Sequence, residues 1–461
     1  MNSPILAGRL VLIGATLILT VCVAPLWVWA AGTVGTGTQA SCTDAALSAV
    51  LTDGGLVTFN CGGAATIDIS MQGGGSGTKM INSDTTIDGG TNLITISGGG
   101  TDRVLIVASG VSLGIRNVTI ANGLSADLGG GILNHGTLTI DSCTFTANGA
   151  TMNGGAIYND GLLLVSNTTF LNNLASAYGG GILNILNTNT ASVTNSTFSG
   201  NGAQVGGAIY SAAPLVVTNC TLVGNGAQVH GAGLETIGSA TATATLRNTI
   251  LAANIGGNCF NDALGSIVDG GHNLDDGTTC GFTSETGSLS NTNPALDPDG
   301  LKDNGGPTQT IALCGATGPN GCQGVSPAID AGDQTICATT TGPAPVDNVD
   351  QRGFSRPGVG NTNCSIGAFE FAGIPETPTR TPTPGAMPSA TVTVSPAATP
   401  TPPVLVGDCT GTGVVTIADI ITLVNITLGN AAASTCEQGI PTGTEVNIAL
   451  IIQAVNNVLQ S

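Results

Sequence analysis

Residues 129–173 read GGGILNHGTLTIDSCTFTANGATMNGGAIYNDGLLLVSNTTFLNN, and the second half repeats the first. A glycine phrase leads to Ile132 or Ile157, alternating apolar residues follow, then Thr-Phe at Phe145 or Phe170, then Asn148 or Asn173. The first anchor recurs as Ile132, Ile157, Ile182, Ile209 and Leu234, at intervals of 25, 25, 27 and 25 residues. The second is read as Ile120, Phe145, Phe170, Phe198, Leu222 and Ile250. A fixed period of this length marks a solenoid. Seven and five residues before the second anchor stand Leu113/Ile115, Leu138/Ile140, Leu163/Val165, Ala191/Val193 and Leu215/Val217. Period-2 alternation of this kind turns one face of a strand inward.

A coil of about 25 residues made of strands and turns cannot bury its apolar face alone, but stacked in parallel on its neighbour it completes a sheet and a continuous interior. The pattern predicts a parallel β-helix. Asn134, Asn159 and Asn184 follow the first anchor by two, and Asn148, Asn173, Asn201 and Asn225 follow the second by three. Stacked amides can bond along a ladder, and Asn tolerates the left-handed backbone of a coil corner, so both roles are expected of these residues. The glycines ahead of the first anchor serve the same corners.

Composition agrees with an all-β chain. Gly accounts for 70 of 461 residues and charged residues for 8%. The formal charge of −19 repels polyanions, so nucleic acid is excluded as an expected partner. Leu10 to Trp29 is almost unbroken apolar sequence, and Val28-Trp29-Ala30 followed by Ala31 fits a signal-peptidase site, which predicts an exported chain with no stable membrane span after cleavage. A lipoprotein reading through Cys22 and a retained anchor are the alternatives. Without Cys22, 12 of the 13 cysteines remain. An oxidising compartment and sequence proximity suggest Cys42 with Cys61, Cys259 with Cys280, Cys314 with Cys322, Cys337 with Cys364, and Cys409 with Cys436. Cys143 and Cys220 stand three repeats apart, roughly 14 Å at strand spacing, and are expected as buried free thiols.

The GGAI phrases at 154–157 and 206–209, with FTAN at 145–148, FLNN at 170–173 and FSGN at 198–201, resemble the repeats of the polymorphic outer membrane proteins, which are right-handed β-helix surface proteins. The resemblance covers roughly residues 117–254, and no membrane barrel follows it here. GHNLDD (271–276), DNGGPTQTIAL (303–313), SPAIDAGD (326–333), DQRGFSRP (350–357) and IGAFE (366–370) resemble the choice-of-anchor module that follows β-helices in exported bacterial proteins. It is expected to cap the open edge of the last coil.

Residues 372–403 are rich in Pro, Thr, Ser and Ala and read as a semi-rigid linker. Beyond it the period turns helical in IADIITLVNITL and IALIIQAVNNVL. GDCTGTGVVTIAD resembles a dockerin or EF-hand calcium loop, with Asp408 first, Gly413 sixth and Asp419 twelfth. Thr410 and Thr412 replace expected carboxylate or amide ligands, so calcium is the only cofactor in question, through Asp408, Thr410, Thr412 and Asp419 in a degenerate loop. The expected class is therefore all-β, a right-handed parallel β-helix solenoid, plus a small all-α dockerin-like C-terminal domain. Its parts are a signal peptide at 1–30, an N-terminal cap and first coils at 31–116, β-helix repeats at 117–290, the choice-of-anchor-like cap at 291–371, the linker, and the helical module at 404–461.

Titratable residues between 117 and 254 are few: Asp127, Asp141, Asp160, Glu235, Arg247, His135 and His230. They do not recur in register, and no catalytic residue is assigned. His135 and His230 lie in corner segments with no carboxylate at ligand spacing and read as solvated turn histidines. Asp275-Asp276 reads as a turn pair. These readings point to an exported, non-catalytic adhesion, binding or structural module with a surface glycan or protein as ligand, and a possible docking partner for residues 404–461. The alternative is a polysaccharide-binding or polysaccharide-degrading β-helix attached through the dockerin-like module. If Cys409–Cys436 replaces a metal as the staple of that module, a fragment from Val404 to Ser461 keeps its helical circular dichroism in excess chelator and loses much of it on reduction. Unfolding by chelator alone overturns the calcium-free reading.

Overall fold

The computed structural model describes residues 30–70, 77–185, 190–238, 242–262, 264–316, 321–342 and 345–375, together with Cys409, Thr422, Ile426 and Cys436. The chain forms two units, Met1–Thr379 and Arg380–Ser461. The expected leader through Trp29 and the linker from 376 onward lie outside the described residues. So do the calcium-loop candidates Asp408, Thr410, Thr412 and Asp419. In the second unit Thr422 and Ile426 are helical, and Cys409 is bridged to Cys436.

The first unit is a right-handed parallel β-solenoid of about nine turns. One turn shows how the sequence makes it. Leu162–Ser166 lies in a ten-stranded sheet, with Leu163 and Val165 buried. The chain bends through Asn167 at φ 50° into Thr169–Leu171 of a nine-stranded sheet, and through Asn172 at φ 54° into Leu174–Ala175 of a five-stranded one. It turns again at Gly179, φ 67°, and enters Ile182–Asn184 of an eight-stranded sheet. A carbon at the Cβ position of Gly179 would lie 2.5 Å from the carbonyl oxygen of Ile182, so only glycine fits.

Register follows the repeat. Phe145 pairs with Phe170, Phe170 with Phe198, and Phe198 with Leu222. The three rings are wholly buried and stacked, with centroids 5.1 and 4.5 Å apart. That separation is set by the strand spacing of about 4.8 Å. In the next coil, however, Leu222 pairs with Leu251, so the interior anchor is Leu251 where the sequence pattern suggested Ile250. Ile250 points outward into a second apolar cluster. The flanking asparagines carry the correct register: Asn248 and Asn254 stand three residues either side of Leu251, as Asn219 and Asn225 do around Leu222.

The two roles expected of asparagine fall to different columns. Asn148, Asn173, Asn201, Asn225 and Asn254 form a ladder in which each Nδ2 donates to the next Oδ1 at 2.9 Å. Asn134, Asn159 and Asn184 form a second, at 2.6 and 2.8 Å. None of these has positive φ. The left-handed corners are Asn117, Ser142, Asn167, Asn195, Asn219 and Asn248, just before the nine-stranded sheet, and Asn122, Ala147, Asn172, Gly200, Gly224 and Ala253 just after it. A ladder residue must point its amide inward, whereas a corner residue turns the chain.

Both ends of the interior are closed. Helix Asp44–Leu51, N-capped by Thr43, buries Leu47 and Leu51 at the start, where Cys42 is bonded to Cys61. At the other end Cys280 and Phe282 join the interior cluster, and Cys259–Cys280 ties them to the last strand of the eight-stranded sheet. Asp269 anchors this closure by accepting from Thr283 N, Thr286 Oγ1, Ser288 Oγ, Asn273 Nδ2 and Gly271 N.

The segment expected as an end cap, 291–371, runs back along the outside of the nine-stranded sheet. Gln351 reaches Thr169 and Thr197, Val349 O accepts from Asn195, Asp333 N donates to Asn248, and Ala368 N donates to Thr221. The reason lies in the outward residues there, Ile250, Ala252 and Leu274, which need apolar cover and receive it from Leu313, Ala328 and Ile366. DQRGFSRP and IGAFE meet in one buried ion network. Arg352 donates from Nε and Nη2 to Asp350 Oδ2 at 2.9 and 2.7 Å, and Arg356 pairs with Glu370 at 3.2 Å. Glu370 also accepts from Ser365 N, Ser365 Oγ and Gly358 N, so the buried charges are fully bonded. Cys314–Cys322 and Cys337–Cys364 lie in this segment.

Phe170→Ala removes the central ring of the stack and leaves a cavity between Phe145 and Phe198. The expected cost is about 3 to 5 kcal/mol in denaturant unfolding. A loss below about 1 kcal/mol would show that this column is not the packed interior.

Candidate binding face

In the eight-stranded sheet the first and third residues of each strand face the interior, so the middle one faces out. Read along the coils, that outward column is Met80, Ile106, Leu133, Tyr158, Leu183, Tyr210, Glu235 and Phe260. An outward column on an ordinary sheet is polar, and this one has a single polar member. Leu133, Tyr158, Leu183 and Tyr210 pack with Val205 into a cluster separate from the interior, flanked by Leu128, Ile185 and Ile237. Tyr178 comes from the preceding turn and sets its ring 4.8 Å from that of Tyr210. The chain has three tyrosines, and all are in this band. Their bodies differ in access: Tyr158 and Tyr210 are buried to their edges, while Tyr178 and Phe260 are each 38% exposed. From Leu133 to Phe260 the band crosses six strands, about 24 Å at about 4.8 Å per step.

Two polar stations border the band. His135 Nδ1 lies 2.8 and 2.9 Å from the two carboxylate oxygens of Asp160. His230 Nδ1 lies 2.6 Å from Glu235 Oε2, and the His230 ring stacks on Phe260 with centroids 3.8 Å apart. Each histidine thus meets a carboxylate that the sequence reading did not place beside it. Asp160 stands one coil beyond His135, 25 residues on, so the repeat period itself brings them together. Glu235 reaches His230 across a turn at Gly231, φ 67°, where an added Cβ would lie 2.6 Å from Glu235 Oε2.

Burial raises the Glu235 carboxyl above the usual carboxylate range, the contact with His230 opposes this, and the charge of Asp262 adds to it. Burial also raises the Tyr210 hydroxyl, reinforced by Tyr178, Glu235 and Asp262. Arg103, beside the start of the band, is paired with Asp127 at 2.5 Å and also donates to Leu128 O.

The other sequence candidates lie elsewhere. Asp275 accepts from Gly277 N, Cys280 N and Asn258 Nδ2, and Asp276 from Ala253 N and Asn258 Nδ2, so both are spent on turn geometry. Cys143 and Cys220 are free and buried, and burial pushes each thiol up to about 12, which makes them packing residues without nucleophilic character. Among the described residues no three His, Cys, Asp or Glu side chains gather as a metal site. Among the described residues no helix is long and apolar enough to cross a membrane. An open cleft of about 630 Å³ lies between the last coils and the flanking segment, lined by Val223, Ala252, Asn291, Leu296 and Gln323 with Asp276 at its edge.

Composition hid the band, because the tyrosines are few and stand among ordinary repeat residues. The signal was positional: Tyr158 and Tyr210 occupy the same offset, one after the first anchor.

Residues 59–251 match the family model described as "Right handed beta helix region". No curated protein and no solved structure matches the chain.

A carboxyl whose folded pKa lies above its unfolded value holds its proton longer in the folded state, so ionisation favours unfolding. The Glu235 contribution to stability is therefore present below the ordinary carboxylate pKa and lost as pH rises into the raised range. Denaturant melts across that window should show the decline, and Glu235→Gln should flatten it. Parallel pH profiles for the two proteins would mean that Glu235 is not desolvated.

Proposed function

We propose that the chain is an exported, non-catalytic β-helix that binds a surface ligand along the tyrosine band. The observation that carries this reading is an apolar and aromatic column on the outside of a sheet in a chain whose net charge is −19. Most of the column is buried, but Tyr178 and Phe260 are each 38% exposed, and exposed rings rimmed by polar groups are what a recognition site presents. Export is supported by the leader-like residues 1–30 and by five disulfides, which persist in oxidising compartments. In this reading residues 404–461 serve attachment to a docking partner, after a Pro-rich spacer.

A second reading has one observation in its favour. Glu235 is a buried carboxyl with a raised pKa, close enough to Asp262 to feel its charge, beside an aromatic face. A raised acid next to a second carboxylate is the arrangement glycoside hydrolysis uses. Against it, Glu235 is bonded to His230 and 1% exposed.

Both readings are tested with the exported chain, insoluble envelope material of the producing cells, and the double variant Tyr178→Ala/Phe260→Ala. These side chains are partly exposed, so melting should be little changed. The chain should cosediment with the envelope material, the double variant should bind at least about tenfold less, and no reducing ends should be released. Equal cosedimentation of both proteins would refute the binding face. Release of reducing ends that Glu235→Gln abolishes would establish the hydrolase in its place.

A further inference from the structure

We infer that a cavity on the outer face of the ten-stranded sheet, where the flanking segment also reaches, is a binding site for a short aliphatic monocarboxylate. It is separate from the tyrosine band and does not rest on that reading. Of the nine Lys and Arg residues, Arg9 and Arg380 lie outside the described residues. Lys79, Arg103, Arg116, Lys302, Arg352 and Arg356 each pair with a carboxylate. Arg247 alone has no acidic partner among the described residues, in a chain whose formal charge is −19. Strand register explains why. Arg247 ends strand Thr243–Arg247, where Ala244 and Leu246 face the interior, so its own side chain faces out. Its neighbours in register are Thr218 and, one strand further, Thr194. The nearest carboxylate of that column is Asp141, four strands away or about 19 Å at about 4.8 Å per strand. Asp141 already accepts from Ser166 Oγ and Asn167 Nδ2. Asp269, on the following strand, is taken up by the donors of the end closure. Gly270 leaves room for the arginine stem, since a Cβ there would lie 2.7 Å from Arg247 Cγ.

Arg247 lines a cavity of about 200 Å³. The sheet contributes Ser192, Val216 and Thr218 to it, and the flanking segment Ile336, Thr339 and Val346. Ser192 and Thr218 are 5% and 8% exposed, and neither hydroxyl has a hydrogen-bond partner among the described residues. Burying a hydroxyl without a partner is costly. Two such groups beside an unpaired guanidinium mark a place where an acceptor belongs. The flanking side is preformed: Cys337–Cys364 ties it, Val346 N and Asp347 N donate to Thr339 O, and Thr339 Oγ1 donates to Ile336 O. None of the described residues lining the cavity is acidic. A guanidinium meets the two oxygens of a carboxylate with two parallel N–H donors. One arginine balances one negative charge, whereas a phosphate or sulfate dianion would bring a second into an acidic chain with no cation to meet it. Val216, Ile336 and Val346 add an apolar wall that suits a short hydrocarbon tail and offers a hydrated inorganic anion nothing.

The test titrates the full exported chain with acetate, butyrate, the neutral butyramide, sulfate and inorganic phosphate at fixed ionic strength, read by calorimetry and ligand-observed NMR. Butyrate should bind saturably with a Kd on the order of 1 mM. Acetate should bind at least about threefold more weakly, and butyramide, sulfate and phosphate at least about tenfold more weakly. Arg247→Gln should weaken butyrate binding about tenfold or more. Thr218→Val keeps the shape, removes the hydroxyl and should cost about threefold or more. Neither replaced group has a partner in the fold, so melting without ligand should be little changed in both variants. Butyrate should raise the melting temperature of the parent chain and not that of Arg247→Gln. Butyrate binding that survives Arg247→Gln overturns the site, and butyramide binding as tight as that of butyrate overturns recognition of the charge. Tighter binding of sulfate or phosphate overturns the ligand class. Absence of butyrate binding at about 50 mM, far above the expected Kd, overturns the inference outright.

Discussion

Everything in the first unit depends on one coil satisfying the next. A strand of three residues such as Thr169–Leu171 has no stability of its own, and its backbone groups are paired only because Thr144–Thr146 and Thr197–Ser199 lie on either side. The asparagine ladder extends the same dependence to side chains. Asn173 donates from Nδ2 to Phe145 O and to Asn201 Oδ1, while its own Oδ1 accepts from Asn148 N. An amide buried without these partners would be costly, so the ladder holds the coils in register as well as together.

Stacking of this kind fills the interior and leaves two problems, the ends and the outside. The ends are closed by short elements: helix Asp44–Leu51 at one, and the Cys280–Phe282 stretch held by Asp269 and a disulfide at the other. Outside, the faces divide by what their outward residues require. The nine-stranded sheet carries Thr169, Thr197, Thr221, Ile250 and Leu274, all buried beneath the flanking segment. That segment is itself held by the Asp350–Arg352 and Arg356–Glu370 pairs, beside the apolar cluster of Leu313, Ala328 and Ile366.

The outward column of the eight-stranded sheet is as apolar, and Leu133, Tyr158, Leu183 and Tyr210 are buried there in a cluster with Leu128, Ile185, Val205, Ala212 and Ile237. There the histidine–carboxylate stations and the tyrosines make a surface with an organised chemistry. The same period that stacks phenylalanines inside stacks tyrosines and leucines outside. A regular backbone thus repeats an outward feature along its length for the same reason that it repeats a core residue.

By itself the sequence determined the repeat length, the strand alternation, the inward columns of four of the five second-anchor coils beyond Ile120, and the cysteines that stand close enough to pair. These are local or periodic properties, and a period is legible in one dimension. It misplaced the last anchor by one residue, since the extra residues before Ile250 shift the count and only pairing with Leu222 resolves it. It also could not show that His135 meets Asp160, that Tyr178 meets Tyr210, or that residues 291–371 lie along the side of the solenoid. Those facts depend on which residues of different coils point outward at the same place, and on contacts between positions up to 182 residues apart. The winding of the chain brings such residues together, and no spacing within a single repeat records it.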